Sequence, residues 1–312
     1  MPRIVHPCLS LALRGALVLS ALIAIGTAHA AVVPPHDRVI VVVMENKSYN
    51  QVRTQPYTMS LMSVGATFTN SFGTTHPSQP DYLSLWAGST LGVTNNNCPA
   101  PGAPFAAENL GHACEVAGIS WRAYSENLAV AGSTACSFDG SASSGLYTRK
   151  HAPWTQFANL NHANERPYTD LASDIANNTL PRLVYVVPNN CHNSHNSSTL
   201  GCGVPDADAW LGANLPTMIN ALGPKGLLVL TWDEDDNLSL NHILTVFVGP
   251  QVVSGAVSAQ TINHHTVVRT ICEALGLTPF ALAGSEASIG NVWKLPVPTA
   301  THSWSQVKAI YR

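Results

Sequence analysis

Two stretches of this chain, Val39-Ile-Val-Val-Val-Met-Glu45-Asn46-Lys-Ser48 and Leu227-Leu-Val-Leu-Thr-Trp-Asp233-Glu234, share one plan. Each is an apolar run of strand length that stops abruptly in carboxylate-bearing residues. In an open α/β sheet the ligand crevice lies beyond the carboxyl ends of parallel strands. Hard oxygen donors at two such ends point to a divalent metal site assembled from both halves of the chain.

Further strand-like runs lie at Ala66 to Asn70, Ile119 to Tyr124, Leu183 to Val187 and Ile243 to Val248, with the first strand opening at Arg38. They alternate with helical patterns at Asp81 to Ala87, Ala107 to Ala117, Asp206 to Leu222 and Thr266 to Leu275. Gly88, Gly118, Gly223 and Gly276 stand at or just beyond the helix ends as stop signals. The alternation predicts an α/β fold with a mostly parallel, doubly wound sheet flanked by helices. Two long polar stretches, Asn127 to Lys150 and Pro188 to Pro205, interrupt the pattern, and long loops in a compact domain often border an active site.

The first thirty residues read as a secretory signal peptide: Arg3 and Arg14, an apolar core from Gly15 to Gly26, then Ala28-His29-Ala30. That core falls short of the roughly 20 residues a membrane span needs, so stable membrane insertion is not expected. Residues 31–312 show no linker or repeat and read as one catalytic domain, secreted or periplasmic after cleavage near Ala30. The whole chain carries 15 basic and 18 acidic residues; without Arg3 and Arg14, 13 basic residues remain and the formal charge moves from −3 to −5. Such a balance argues against a nucleic-acid partner. Once Cys8 leaves with the signal, six cysteines remain, an even number suited to disulfides in an oxidising compartment. Cys191 and Cys202, flanking a polar loop, are the favoured pair; with no Cys-x-x-Cys present, a zinc cluster is disfavoured.

Glu45 and Asn46 stand at the mouth of the first strand, and Asp233 and Glu234 open a run of four consecutive acids that ends at Asp236. Four adjacent like charges repel unless water or a cation neutralises them. Ser78 lies where a loop turns into a helix. The pattern Ser78-Gln-Pro-Asp81 fits a helix cap, in which the serine oxygen accepts a backbone N–H. The same position fits a nucleophile beside a phosphate held on a helix N-terminus, and the local sequence leaves both open. Of the histidines in polar contexts, which include His76, His192 and His265, the preferred two are His242, before a strand, and His264, at a helix start, both positioned where they could approach the same crevice.

Taken together, these segments resemble the bacterial phosphoesterase family that includes secreted acid phosphatases and phospholipases C, within the alkaline-phosphatase-like superfamily. The resemblance rests on Val42-Val-Met-Glu45-Asn46-Lys-Ser48-Tyr49, His76-Pro-Ser78-Gln-Pro-Asp81-Tyr82, Tyr147-Thr-Arg-Lys150-His151-Ala-Pro-Trp154 and Pro188-Asn-Asn-Cys-His-Asn193-Ser-His195. It continues through Thr231-Trp-Asp233-Glu234, Asn241-His242 and His264-His-Thr-Val-Val-Arg269-Thr270, in the family's order. The resemblance implies Glu45, Asn46, Asp233 and Glu234 as metal ligands and Ser78 as nucleophile. It implies that Lys150, His151 and His195 line the phosphate pocket, and that His242 or His264 transfers a proton. Two departures stand out. Asn193 replaces an aspartate common among relatives, which leaves Asp206 or Asp208 to supply the missing carboxylate, or one ion in place of two. Asp235-Asp236-Asn237 replaces glycines after the acidic pair and alters the pocket mouth.

The expectation is an exported, divalent-metal-dependent acid phosphatase that hydrolyses small phosphomonoesters through a phosphoserine, with free helix N–H groups helping to offset the phosphoryl charge. A phospholipase C or other phosphodiesterase is the alternative, and a non-catalytic exported binding protein of the same fold is the second. A metal-free serine hydrolase is disfavoured because no Gly-x-Ser-x-Gly elbow surrounds Ser78.

Overall fold

The computed structural model describes residues 33–138, 145–195 and 201–294. The expected signal peptide lies outside the described residues. The strands are β1 (Arg38–Met44), β2 (Ala66–Phe72), β3 (Trp121–Ser125), β4 (Glu165–Pro167), β5 (Leu183–Val187), β6 (Gly226–Trp232), β7 (His242–Val248) and β8 (Val257–Asn263). They form one sheet in the order β4-β3-β5-β1-β6-β7-β2-β8. Among the described residues, only β7 runs against its neighbours β6 and β2; the other pairings are parallel.

β1 sits mid-sheet with Val39 to Met44 fully buried, which is why it reads as an unbroken apolar run. Its odd-numbered side chains, Val39, Val41 and Val43, enter one core layer with Tyr185, Leu227 and Val229. Its even-numbered ones, Ile40, Val42 and Met44, enter the other with Val184, Leu228 and Leu230. Each side chain so buried contributes on the order of 1.5–3 kcal/mol.

Helices α3 (Ser78–Ala87), α4 (Leu110–Val116) and α7 (His264–Leu275) cover the first layer. Helices α1 (Tyr49–Val52), α2 (Pro56–Val64), α5 (Thr169–Ala176) and α6 (Val204–Asn220) cover the second. Helices on both faces of a largely parallel sheet make the doubly wound α/β architecture that the alternation predicts. Gly88 and Gly276 close α3 and α7 in the left-handed region, at φ 61° and 76°, where a Cβ is costly.

β4 and β8 are additions to the sequence reading. β4 has three residues, and β8 is an edge strand whose Val257, Ala259 and Thr261 face solvent, so neither carries an apolar run. The cysteine expectation holds in part. Cys191–Cys202 is bonded and so is Cys98–Cys136, but Cys114 on α4 and Cys272 on α7 are buried free thiols. Both belong to the first core layer, where they act as small apolar side chains, and burial pushes the Cys114 thiol up to about 12.

The parallel register sets Met44 beside Trp232, so the two strand ends finish level. The residues that follow each strand, Glu45 and Asp233, therefore emerge side by side.

Candidate active site

Past that level edge the chain turns sharply. Asp233 N–H donates to Met44 O at 3.0 Å, and Asp233 Oδ1 accepts the Asn46 N–H at 2.9 Å. Asn46 holds a left-handed φ of 52°, a conformation that asparagine tolerates better than most residues. Glu45 is anchored through its own backbone: its N–H donates to Asn193 O at 2.8 Å and its carbonyl accepts from Ser194 Oγ at 2.9 Å. Asn193 thus serves as a scaffold residue, with its Oδ1 also accepting the His195 N–H at 2.9 Å.

Ser78 opens α3 and is 1% exposed. Its Oγ lies 2.6 Å from Glu45 Oε1 and 2.7 Å from Glu234 Oε1, with Lys150 Nζ at 3.5 Å. The capping alternative fails: the residue before the helix is Pro77, and Asp81 turns back to a different task. Asp81 Oδ1 accepts from Thr74 N and Thr75 N, both at 3.0 Å, and from Thr74 Oγ1 at 2.6 Å. The Ser78 hydroxyl is left facing the acids. Gln79 N–H donates to Asn96 Oδ1 at 2.9 Å and Pro80 has no N–H. Much of the helix start is therefore already committed, contrary to the expectation of free amides for a phosphate.

Glu45 gathers the basic groups. His151 Nε2 is 2.9 Å from its Oε2, Lys150 Nζ is 3.7 Å and His195 Nε2 3.9 Å from its Oε1, and Tyr82 donates to Oε2 at 3.1 Å. Burial alone would raise the Glu45 pKa, but His151 and Lys150 outweigh it and hold the carboxyl well below its usual range. Burial pushes His151 down to about 4, and burial also lowers His195. Burial thus works against a charge on both rings, and Lys150 Nζ lies 3.5 Å from Ser78 Oγ.

The opposite strand end behaves in the reverse sense. Burial, with Glu45 and Glu234 close by, pushes Asp233 well above the carboxylate range. Glu234 is raised to about 7 by burial and by Glu45. Glu45, Asp233 and Glu234 bring oxygen atoms within 4.8 Å of one another, all three buried. Asp233 Oδ2 is buried with no hydrogen-bond partner among the described residues. An unpartnered carboxylate oxygen among two more acids fits a hard divalent cation as the absent partner.

A profile of the Phosphoesterase family matches residues 42–278, most of the chain. The chain belongs to this family. It is 36% identical over 268 residues to phosphatidylinositol-3-phosphatase of Mycobacterium tuberculosis, a match covering 85% of each chain. It is 26% identical over 252 residues to the phosphate-repressible acid phosphatase of Penicillium chrysogenum, covering 77% of this chain and 59% of the fungal one. Among solved structures, a protein of the alkaline phosphatase superfamily from Vibrio parahaemolyticus shares the fold, with a TM-score of 0.56 at 11% identity over 79% of this chain and 68% of that one. This phosphoesterase is accordingly a hydrolase of phosphate esters, with an acidic group suited to a metal at the strand ends.

Of the residues singled out in the sequence, the structure brings together Glu45, Ser78, Lys150, His151, His195, Asp233 and Glu234. Asn46 joins through its backbone. His242 stands apart: its Nε2 pairs with Thr69 O at 2.8 Å and its ring stacks on Tyr49, with centroids 4.8 Å apart. His264 supports the site from behind, with Nδ1 3.2 Å from Asp81 Oδ1 and Nε2 3.2 Å from Trp232 O. Neither Asp206 nor Asp208 replaces the missing aspartate. Asp208 Oδ1 and Oδ2 accept the Thr58 and Tyr57 N–H groups at the start of α2, and Asp206 accepts Gly203 N at the start of α6. Both are occupied as helix caps.

Two members were not assigned from sequence. His76 Nδ1 pairs with Glu234 Oε2, and its Nε2 lies 3.4 Å from Asp235 Oδ1. Tyr82 reaches Glu45 from the next turn of α3 and stacks on His151. For Tyr82 the spacing four residues after Ser78 on α3 was the available signal, while His76, two residues before it and outside the helix, carried none.

Proposed function

We propose that this phosphoesterase is an exported acid phosphatase of one catalytic domain, acting on phosphomonoesters through a phosphoserine at Ser78. The observation that carries this reading is the Ser78 hydroxyl, buried between Glu45 and Glu234 with Lys150 beside it. Glu45, Asp233, Glu234 and the Asn46 side chain would hold one divalent cation. When bound, that cation supplies positive charge that favours the ionised serine oxygen and the developing phosphoryl charge.

The chain's own residues do the rest. Glu234, the more basic of the two carboxylates within hydrogen-bond distance, takes the Ser78 proton, while Glu45 helps to fix the direction of the serine oxygen. Ser78 Oγ attacks phosphorus, the bond to the leaving alcohol breaks, and the phosphoryl group rests on the serine. Lys150 lies close enough to Ser78 to offset charge on an equatorial oxygen, and His151 and His195 present ring nitrogens to the same space. His76, partly exposed and paired with Glu234, is the proton carrier between the acids and solvent. Water then releases phosphate and restores the serine.

The resemblance to a relative named phosphatidylinositol-3-phosphatase, together with the acid phosphatase of Penicillium chrysogenum, favours the monoester reading over a phospholipase C. Export is supported by the leader pattern and the two disulfides; no helix among the described residues is long and apolar enough to cross a membrane. The test is hydrolysis of p-nitrophenyl phosphate against bis(p-nitrophenyl) phosphate and phosphatidylcholine, before and after chelation. Monoester turnover that is lost with chelator and restored by one cation supports the reading. Preference for the diester or the lipid would transfer it to the phosphodiesterase branch.

A further inference from the structure

The acidic run does not end at the metal-suited pair, and its continuation builds the rim of the site. Asp235 is wholly buried and turns its carboxylate into a clamp for the loop that follows. Asn237 N–H donates to Oδ1 at 2.7 Å, while Ser239 N–H and Asn241 N–H donate to Oδ2 at 2.8 and 2.9 Å. Asn241 then ties the loop to the nucleophile side, donating from Nδ2 to Thr75 O at 2.6 Å. Gly73 leaves room for that contact, since a Cβ there would meet the Asn241 side chain at 2.6 Å.

Between these three fastened residues stand Leu238 and Leu240, 83% and 94% exposed. Leu240 also holds φ at 57°, a left-handed conformation that is strained for a bulky side chain and free for glycine. A loop pinned at every second residue thus holds two leucines in water, one of them on unfavourable backbone. Strain retained beside an active site calls for a functional reading.

The leucines line a cavity of about 480 Å³ together with Thr75, His76, Asp235 and Asn241. His76, on its lining, contacts Glu234, which in turn holds Ser78. Ser78, Lys150, His151 and Glu45 are buried, while His76 and His195 are partly exposed, and of these two His76 lines this cavity. That adjacency makes the cavity a place for the alcohol portion of a phosphoryl group seated at Ser78.

We infer that Leu238 and Leu240 form an apolar subsite for the leaving alcohol, selecting phosphomonoesters of alkyl or aryl alcohols over those of polyols. The inference rests on the phosphomonoesterase reading. The same chemistry is offered by a free ester and by a lipid carrying a terminal phosphate, and the two sources are separable.

The experiment measures kcat/KM for hexyl phosphate, glycerol 2-phosphate and phosphatidic acid in phosphatidylcholine vesicles. It compares wild type, Leu238→Ser, Leu240→Gly and the Leu238→Ser/Leu240→Ser double variant, with thermal unfolding of each. Wild type should prefer hexyl phosphate over glycerol 2-phosphate, and the double variant should lose that preference by about tenfold, with the polyol ester little changed. Leu240→Gly removes the side chain while relieving the backbone, so it should lower the preference without lowering the unfolding temperature. Loss on both hexyl phosphate and vesicles assigns the subsite to free esters and lipids alike; loss confined to vesicles assigns it to the lipid source. An unchanged preference, or equal loss on the polyol ester, overturns the subsite while leaving the phosphatase intact. Wild type inactive on every monoester removes the parent reading and this inference with it.

Discussion

His264 Nδ1 lies 3.2 Å from Asp81 Oδ1, and both side chains are wholly buried. Through this contact the first turn of α3, which carries Ser78, is joined to the first turn of α7. Through His264 Nε2 it is joined again to Trp232 O, one residue before Asp233. Both ring nitrogens face oxygen acceptors, so the imidazole acts as a strut between the nucleophile and the metal-suited strand end. We propose His264 as a positioning residue, in place of the proton-transfer role that the family resemblance implies.

Replacing His264 by alanine should therefore act on rate and stability together. Leaving the buried Asp81 carboxylate without this partner costs on the order of 1–3 kcal/mol, read as a lower urea midpoint. Misplacing Ser78 should lower kcat by about a hundredfold, with KM moving little. His264→Asn, which keeps one donor, should recover part of both. A variant with full kcat would break the link between the strut and the nucleophile.

Asp208 supplies a contrast. It holds the N-terminus of α2 through Tyr57 and Thr58. Asp208→Ala should lower stability by about 1–2 kcal/mol while leaving kcat and the metal requirement unchanged. Loss of metal affinity in this variant would return Asp208 to the ligand set.

Asp233 and Glu234, buried beside the Glu45 carboxylate, oppose folding when ionised until something neutralises them. Burial and mutual repulsion raise the Asp233 and Glu234 pKa values, which is the signature of that cost. A divalent cation that binds only the folded chain should raise its stability by about 2.7 kcal/mol at a hundredfold excess over Kd. The check is a thermal-unfolding titration with each cation after chelation. Asp233→Asn should blunt the shift, and an identical shift in that variant would locate the cation elsewhere.

His192 gives a pH dependence through its pair with Glu126. Its hydrogen bond to Glu126 raises its pKa in the folded chain, against a partial lowering by burial. The folded state then holds the proton more tightly, so the contribution is complete below the unfolded value of about 6.5 and fades as pH rises through the folded one. The stability difference between wild type and His192→Asn should accordingly be larger near pH 5.5 than near pH 8, by roughly the screened worth of a half-exposed pair. Urea midpoints at the two pH values decide it, and a pH-independent difference would contradict the assignment.

The elements most legible in the sequence are those buried on both faces. β1 and β6 declare themselves as apolar runs that stop in acids, while their being neighbours that end level is seen only in the register of Met44 beside Trp232. Ser78, Lys150, His151 and His195 followed from the family resemblance. What escaped was set by contacts across the sheet. β8 alternates polar and apolar because it is an edge, α1 is a four-residue helix closed by its own Ser48 and Gln51, and α2 is ordered by a tertiary cap, Asp208. His76 and His242 look alike in sequence, both histidines in polar segments. Only the direction of the side chain, toward Glu234 in one and toward Thr69 O in the other, separates them. The pair Cys114 and Cys272 shows the same limit, since an even count cannot tell a thiol packed in the core from one in a bridge.

The central claim is that Ser78 carries the phosphoryl group. The most direct test is acid quenching of the metal-loaded enzyme within its first turnovers of p-nitrophenyl phosphate, followed by peptide mass analysis. The account predicts one added phosphoryl group on the peptide containing Ser78, absent in Ser78→Ala, which also loses turnover while keeping the cation-induced thermal shift. Unmodified Ser78 peptide alongside undiminished turnover in Ser78→Ala would contradict it.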